Sequence, residues 1–330
     1  MTVLVTGGSG LVGSHVIEAL RARGEPVRAL VRKPEGIPGV EEVVGDVTDA
    51  SAWRRAAGGA RAIVHGAAVV ANRVPYEAFE RVNVGGTRLA VHAARAEGAT
   101  LVHVSSVAVF GRTAAETAGR EGITEDFPFQ RIPERDFYAR TKRLAEELVR
   151  EEAARGGVTA VAIRPNVIYG ERDRLFTPRV IGVLRRGFAV QIGPGTNHLS
   201  CVYAGNVAAA IVAAVDKARP GFRAYNVTRD APPELTQREF FMAFAAALGI
   251  RLRFVPVPVR LARWGAKAWS RWLRLRHPRR YAGLAGAAVS FIVGENPYVA
   301  ARARQDLGWT PPYDARAGIQ RAVAWFQSGA

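Results

Sequence analysis

The sequence predicts an α/β fold: a doubly wound parallel sheet with a smaller, discontinuous C-terminal part. Three observations carry that expectation. Short apolar runs alternate with segments of helical periodicity from residue 1 to about 165, as crossover-connected parallel strands require. A glycine-rich turn follows the first apolar run, where a strand would hand over to a helix. Tyr138 and Lys142 stand four residues apart, which puts a phenol and an ammonium on one face of a later helix.

Val3-Leu4-Val5 reads as a buried strand ending in Thr6-Gly7-Gly8-Ser9-Gly10-Leu11-Val12-Gly13, after which Val12, Val16, Ile17 and Leu20 recur at helical spacing. Gly7, Gly10 and Gly13 permit a sharp turn and close backbone approach. With Ser9, Leu11 and Val12 they would cradle a dinucleotide pyrophosphate at the helix N-terminus. A plain tight turn is the simpler reading of glycines alone, but their place between strand and helix favours a nucleotide. The second strand, Val27 to Val31, ends in Arg32-Lys33 with no acid to hold a ribose 2′-hydroxyl. Two cations there favour NADP(H) and leave NAD(H) open. The competing reading is a solvated loop, which Lys33-Pro34-Glu35-Gly36 also suits.

Val43-Val44-Gly45-Asp46-Val47 is expected to end a strand, with Asp46 within reach of an adenine edge. Ala62 to His65 is another buried strand, and Ala67 and Ala68 keep its mouth narrow where a cofactor would pass; His65 is read as structural. Ser105-Ser106 ends a further strand. On the later helix an ammonium near the phenol favours the phenolate, so Tyr138 is expected to exchange a proton closer to neutral pH than a free phenol. Glycine turn, serine-bearing strand end and Tyr/Lys pair together read as a nicotinamide-dependent carbonyl/alcohol site. Val161 to Ile163 and Ala224 to Val227 supply later strands of the same sheet.

Composition limits the classes. Apolar residues make up 48% and charged residues 23% of 330 residues, as in a folded globular protein. One cysteine, Cys201, excludes an internal disulfide and a cysteine-based metal cluster and suits a reducing cytosol; no metal is expected. Met1-Thr-Val-Leu-Val-Thr-Gly runs straight into a strand without a basic leader or cleavage signal, so a cytoplasmic protein is expected. The net charge of +17 calls for an acidic partner or substrate, unless high-GC codon usage alone explains the arginines. Those arginines are scattered along helices without zinc-finger or RNA-binding spacing, so no nucleic-acid partner is expected.

These motifs in this order resemble the extended short-chain dehydrogenase/reductases, the NAD(P)-dependent epimerase/dehydratase family, and look closest to its dihydroflavonol-reductase and 3β-hydroxysteroid-dehydrogenase-like branches. The resemblance spans nearly the whole chain: the Gly7 to Gly13 turn, Asp46-Val47, His65 to Ala68, Asn83-Val84-x-Gly86-Thr87, Ser105 to Gly111, Tyr138 to Lys142, Arg164-Pro165-Asn166-Val167-Ile168-Tyr169-Gly170, Ala224 to Thr228 and Ala303 to Pro311. It implies a Rossmann-type sheet, with Tyr138 as proton donor to a substrate carbonyl and Lys142 holding the nicotinamide ribose and lowering the tyrosine's pKa. Ser106 would hydrogen-bond the same oxygen, with Ser105 as the alternative. Asn83 would anchor a water in the proton path or cap a helix, and Pro165 and Val167 would flank the cofactor. Two departures stand out. Phe110 replaces the usual tyrosine, and Asn206 stands among residues where the family commonly has aspartates, from where it could still cap the helix that follows.

The alternation of strands and helices further predicts residues 1–165 as the NADP-binding domain, with later strands from about 201–230, and 166–200 with 231–330 as a substrate-binding part. Two arms, Phe110 to Phe137 and Tyr169 to His198, would border the substrate cleft. A homodimer is implied through the Asn83-to-Gly98 and Tyr138-to-Arg150 helices. Val259 to Arg276 predicts an amphipathic helix, with Leu261, Trp264, Ala268, Trp272 and Leu275 on one side, Trp269 on its flank and Arg260, Arg263, Lys267, Arg271 and Arg274 opposite. It would close the substrate pocket with its tryptophans or lie on a membrane surface. Tyr281 to Gly294 is apolar but too short to span a bilayer. The leading expectation is an NADPH-dependent oxidoreductase acting on a hydrophobic ketone or secondary alcohol, of steroid, terpenoid, flavonoid or acyl-ketone type. A sugar-nucleotide epimerase or dehydratase with retained NAD is the alternative, its diphosphate met by some of Arg172, Arg174, Arg179, Arg185 and Arg186; a non-catalytic nucleotide sensor is the lesser one.

Overall fold

The structure, a computed structural model, describes residues 2–70, 74–111, 121–276 and 284–329. Along the chain run β1 (Thr2–Thr6), α1 (Leu11–Ala22), β2 (Val27–Val31), β3 (Glu41–Val44), α2 (Ala50–Ala57), β4 (Ala60–His65), α3 (Tyr76–Phe79), a π-helical turn (Glu80–Gly85), α4 (Gly86–Glu97), β5 (Thr100–Val104), α5 (Phe137–Ala154) and β6 (Ala160–Pro165). Then follow β7 (Val167–Tyr169), α6 (Thr177–Leu184), β8 (Phe188–Ile192), β9 (Cys201–Tyr203), α7 (Ala204–Lys217), β10 (Phe222–Val227) and α8 (Gln237–Ala247). The chain closes with β11 (Arg253–Val257), α9 (Val259–Arg276), α10 (Leu284–Val293), α11 (Ala301–Leu307) and α12 (Ala315–Gln327).

Two compact units result. The first holds residues 1–166, 204–228 and 298–312, the second 167–203, 229–297 and 313–330. In the first, seven strands form a parallel sheet in the order β10-β6-β5-β4-β1-β2-β3. Strand periodicity of two sends Leu4, Ile63 and Leu101 to one face, where they pack with Trp53 of α2, Val91 of α4 and Val149 of α5. Helices α1 and α7 pack against each other. Order reverses beside β1, so both β1 and β4 present their C-terminal ends at a switch point, where open α/β sheets bind ligands.

The division departs from the expected boundaries at two places. Cys201–Tyr203 (β9) pairs with β7 in the second unit rather than joining the main sheet. Residues 298–312, expected in the C-terminal part, belong to the first unit: Val299 N donates to Ile123 O at 3.0 Å, and Trp309 Nε1 donates to Asn206 O at 3.2 Å. Helix α7 begins at Ala204, so Asn206 lies inside its first turn rather than capping it.

The second unit gathers Tyr169, Ile181, Leu184, Phe240, Phe244 and Ile319 around an aromatic core. Its strands form two short pairs, β7–β9 and β8–β11. Asp173 ties the turn that leads into α6 by accepting from the backbone N–H groups of Leu175, Phe176 and Thr177.

Candidate active site

Thr6 ends β1 and the chain turns at Gly7, whose φ of +73° suits glycine. Gly10 N donates to Gly7 O at 2.9 Å and closes the turn. A Cβ on Gly13 would sit 2.1 Å from Gly7 O, so no larger residue fits there. Gly10 is the N-cap of α1 and offers no side-chain hydrogen bond, and the first helical turn has no acid. Its leading N–H groups, on Leu11 and Val12, therefore remain for an anionic ligand. Ser9, Leu11 and Val12 are half-buried around this turn. Across the switch, Ala67 N donates to Thr6 Oγ1 at 3.2 Å, which ties the mouth of β4, with Ala67 and Ala68, to the glycine turn. This cradle fits a dinucleotide pyrophosphate.

Arg32 and Lys33 lie just beyond β2, and Lys33 is exposed. On the neighbouring strand β3, Glu42 is already committed: its carboxylate accepts from Ile37 N at 2.6 Å and Glu35 N at 2.9 Å, which holds it below the usual carboxylate range. Asp46 closes a local turn, with Oδ1 accepting from both N and Oγ1 of Thr48, while Val47 is buried and its carbonyl accepts from Trp53 Nε1 at 2.8 Å. Pro165 ends β6 in the first unit; Val167 opens β7 in the second.

Strand β5 and helix α5 bring the reactive groups together. Asp136 caps α5, accepting from Ala139 N, and this starts the helix just before Tyr138. The Tyr138 phenol is hydrogen-bonded to the Ser106 side chain. Ser106 in turn accepts from Ala108 N at 3.2 Å, which fixes its hydroxyl at the strand end. Ser105 points elsewhere: its hydroxyl donates to Glu146 Oε2 at 2.6 Å in the interior. Of the two serines, the structure thus puts Ser106 beside the phenol.

One expectation is corrected. Burial pushes the Tyr138 phenol up, and only the Ser106 hydrogen bond opposes this strongly enough to register beside it; Asp136 also raises it. Lys142 does not hold the phenol down, because its ammonium donates to Val104 O at 2.6 Å instead. Burial lowers that ammonium from 10.5 to about 8, with the Glu146 carboxylate pulling the other way. Burial thus favours the protonated phenol of Tyr138 and lowers the Lys142 ammonium toward neutral pH.

Asn83 is fully engaged by protein. Its Oδ1 accepts from Val69 N at 2.7 Å, and its Nδ2 donates to Val69 O and to Thr141 Oγ1. It clasps the segment after β4 to the helix that bears Tyr138, rather than capping a helix. His65 and His103 sit side by side on β4 and β5, their ring centroids 5.9 Å apart. Burial, with the Lys142 charge second, holds His65 down at about 3, a neutral structural ring as expected.

Sequence reasoning missed the support beneath the site. Glu146 lies one turn beyond Lys142, fully buried, and pairs in a two-pronged contact with fully buried Arg164. Arg164 also donates to Glu125 O at 3.0 Å and lies 4.8 Å from the Phe110 ring centroid. Removing one member of such a buried pair costs about 3–5 kcal/mol. A signal existed: an acid and an arginine standing in otherwise apolar buried segments rarely lack each other. Phe110 packs wholly buried among Phe127, Phe129 and Tyr298, where a hydroxyl would have to be desolvated. Residues 112–120 of the first expected arm lie outside the described residues. Among the described residues no cluster of acids, histidines and cysteines could hold a metal ion.

The family model for NAD-dependent epimerases and dehydratases matches residues 3–228, which includes every element of this site up to β10. The chain belongs to that family. As an extended short-chain dehydrogenase/reductase it is an NAD(P)-dependent oxidoreductase by type. It is 32% identical to the 4-hydroxy-2-methyl-3-oxo-4-farnesyl-3,4-dihydroquinoline-1-oxide ketoreductase of Stigmatella aurantiaca, over 94% of this chain and 92% of that protein. With the 3-beta-hydroxysteroid dehydrogenase of Mycolicibacterium neoaurum it shares 29% identity over 98% of this chain and 91% of that one. The solved UDP-glucose 4-epimerase of Thermus thermophilus, in complex with NAD, superimposes with a TM-score of 0.71 over 100% of both chains at 26% identity.

Proposed function

We propose that this member of the family is an NADPH-dependent reductase that interconverts a hydrophobic ketone and its secondary alcohol. The observation that carries the chemistry is the Tyr138–Ser106 hydrogen bond beside the buried Lys142 ammonium. A bound nicotinamide, held by the glycine turn, would supply the hydride for the carbonyl carbon. Tyr138 then gives its phenolic proton to the carbonyl oxygen, while Ser106 orients that oxygen and stabilises the charge that develops on it. Lys142 would exchange its bond to the Val104 carbonyl for bonds to the ribose hydroxyls of a bound cofactor. In the oxidative direction the same phenolate takes the alcohol proton.

Arg32 and Lys33 support NADPH over NADH, since the neighbouring Glu42 is spent on its loop and no acid ends β2. Relatives named for reducing a farnesylated ketone or dehydrogenating a steroid support an apolar substrate. A homodimer through α4 and α5 belongs to the same reading: Leu144 of α5 is exposed, and Leu89, Ala93 and Leu148 are only partly covered.

The test begins with tryptophan-fluorescence titration of the purified protein with NADPH and NADH. NADPH should bind at least tenfold more tightly, about 1.4 kcal/mol, and Arg32→Glu should erase that preference. Against a panel of hydrophobic ketones, Tyr138→Phe should lower kcat by about 10²–10⁴-fold with NADPH affinity kept. Turnover that survives in both Tyr138→Phe and Lys142→Ala would sink the mechanism. Tightly copurifying NAD with turnover of UDP-sugars would instead favour the epimerase reading, for which the Thermus relative speaks.

A further inference from the structure

Helix α9 exposes the tryptophans that its sequence placed on one face. It seats on its own unit through small residues: Ala266 is buried, and Val259, Ala262 and Ser270 are half-buried. At 3.6 residues per turn these four share an arc of about 80°. The tryptophan face points away from that arc. Leu261, Trp264, Trp269 and Trp272 are 57%, 69%, 54% and 44% exposed. Trp269 and Trp272 stack with ring centroids 4.9 Å apart, so part of this face is already ordered. Between the exposed apolar arc and the seated arc run Arg260, Arg263, Lys267 and Arg271, all exposed. The helix contains no acid.

The same unit exposes a second apolar surface just before this helix. Val190 of β8 pairs with Val255 of β11, and these two and Phe188 are exposed on the ribbon's outer face, while Ala189 and Phe254 turn inward to the core. Pro258 then leads directly into α9.

We propose that α9 is an interfacial helix that docks this protein onto an anionic lipid surface. Three exposed indoles and a leucine on one arc match the depth where amphipathic rings settle among headgroups. The adjoining arc of cations matches anionic lipid phosphates and carboxylates, with no acid on the helix to oppose them. Among the described residues no helix is long and apolar enough to cross a membrane, so α9 lies on the surface and does not span. Small residues at the seat leave Leu261, Trp264, Trp269 and Trp272 for the lipid. A docked α9 would also place the enzyme where an apolar ketone is concentrated.

The full-length protein is mixed with vesicles of phosphatidylcholine alone and of phosphatidylcholine with about a third phosphatidylserine. Flotation should recover it with the anionic vesicles at least tenfold better, and raising salt should reverse this. Bromine-labelled acyl chains should quench its fluorescence, and a Trp264→Phe, Trp269→Phe, Trp272→Phe variant should lose that quench. Buried Trp53 and Trp309 report in the same variant that the fold persists. Arg263→Glu with Lys267→Glu should abolish flotation while leaving the thermal melt unchanged. Failure to float with anionic vesicles, or equal flotation of the charge-reversed variant, overturns the proposal. Self-association that vanishes with the tryptophan variant, without lipid binding, would assign the face to a second copy instead.

Discussion

Lys142 shows how burial decides the role of one side chain. Its ammonium is held at about 8 by desolvation, although Glu146 opposes this. Reductase activity should therefore fall as pH rises through about 8, because the proton on Lys142 is lost; a kcat/KM profile of the free enzyme reads this directly. Stability carries the opposite sign. Between about 8 and the ordinary 10.5 the unfolded chain still binds this proton while the folded chain has released it, so stability rises with pH across that window. Urea unfolding at pH 8 and 10 should show a gain of up to about 1.4 kcal/mol per pH unit that Lys142→Met lacks. Equal pH slopes in both proteins would show that the ammonium is not desolvated as the fold implies.

At the scale of elements, the glycine turn and α1 act as one unit. Gly13 lies where a Cβ would meet the Gly7 carbonyl at 2.1 Å, whereas a Cβ on Gly182 of α6 would meet nothing within 4 Å. Both are helical glycines with opposite consequences. Gly13→Ala should destabilise by about 1–3 kcal/mol through overpacking and weaken NADPH binding at least tenfold. Gly182→Ala should raise stability by up to about 1 kcal/mol, from helix propensity alone, with binding unchanged. Thermal melts and the NADPH titration separate the two. Spacing made Gly13 legible as part of a cradle; its intolerance to a methyl group comes from the approach of two backbone segments. The Ser105–Glu146–Arg164 support was not legible in the same way, because its members come from the end of β5, from α5 and from β6 and share no local spacing.

For the molecule as a whole, a dimer through α4 and α5 would cover the exposed Leu144 and the half-covered Leu148. Light scattering at micromolar concentration should return twice the chain mass, and Leu144→Glu should shift it toward one. A monomeric wild type would remove this interface. The same whole-molecule view applies to the tryptophan helix. A hydrophobic wheel identifies which residues share a face, but not which face turns inward, and here the small face won the contact with protein.

Sequence alone determined what depends on local order. Strand and helix periodicity, the glycine turn, the Tyr138–Lys142 spacing and the absence of an acid after β2 are all properties of neighbouring residues, and together they specify the parallel sheet and name most of the site. Tertiary structure decided what depends on which distant groups meet. Only packing turned Ser105 inward to Glu146, sent Lys142 to the Val104 carbonyl, spent Asn83 on Val69 and Thr141, and returned residues 298–312 to the first unit. The physical reason is burial. Desolvation and hydrogen-bond partners are set by segments far apart in the chain, and they fix proton affinity and exposed surface where spacing does not.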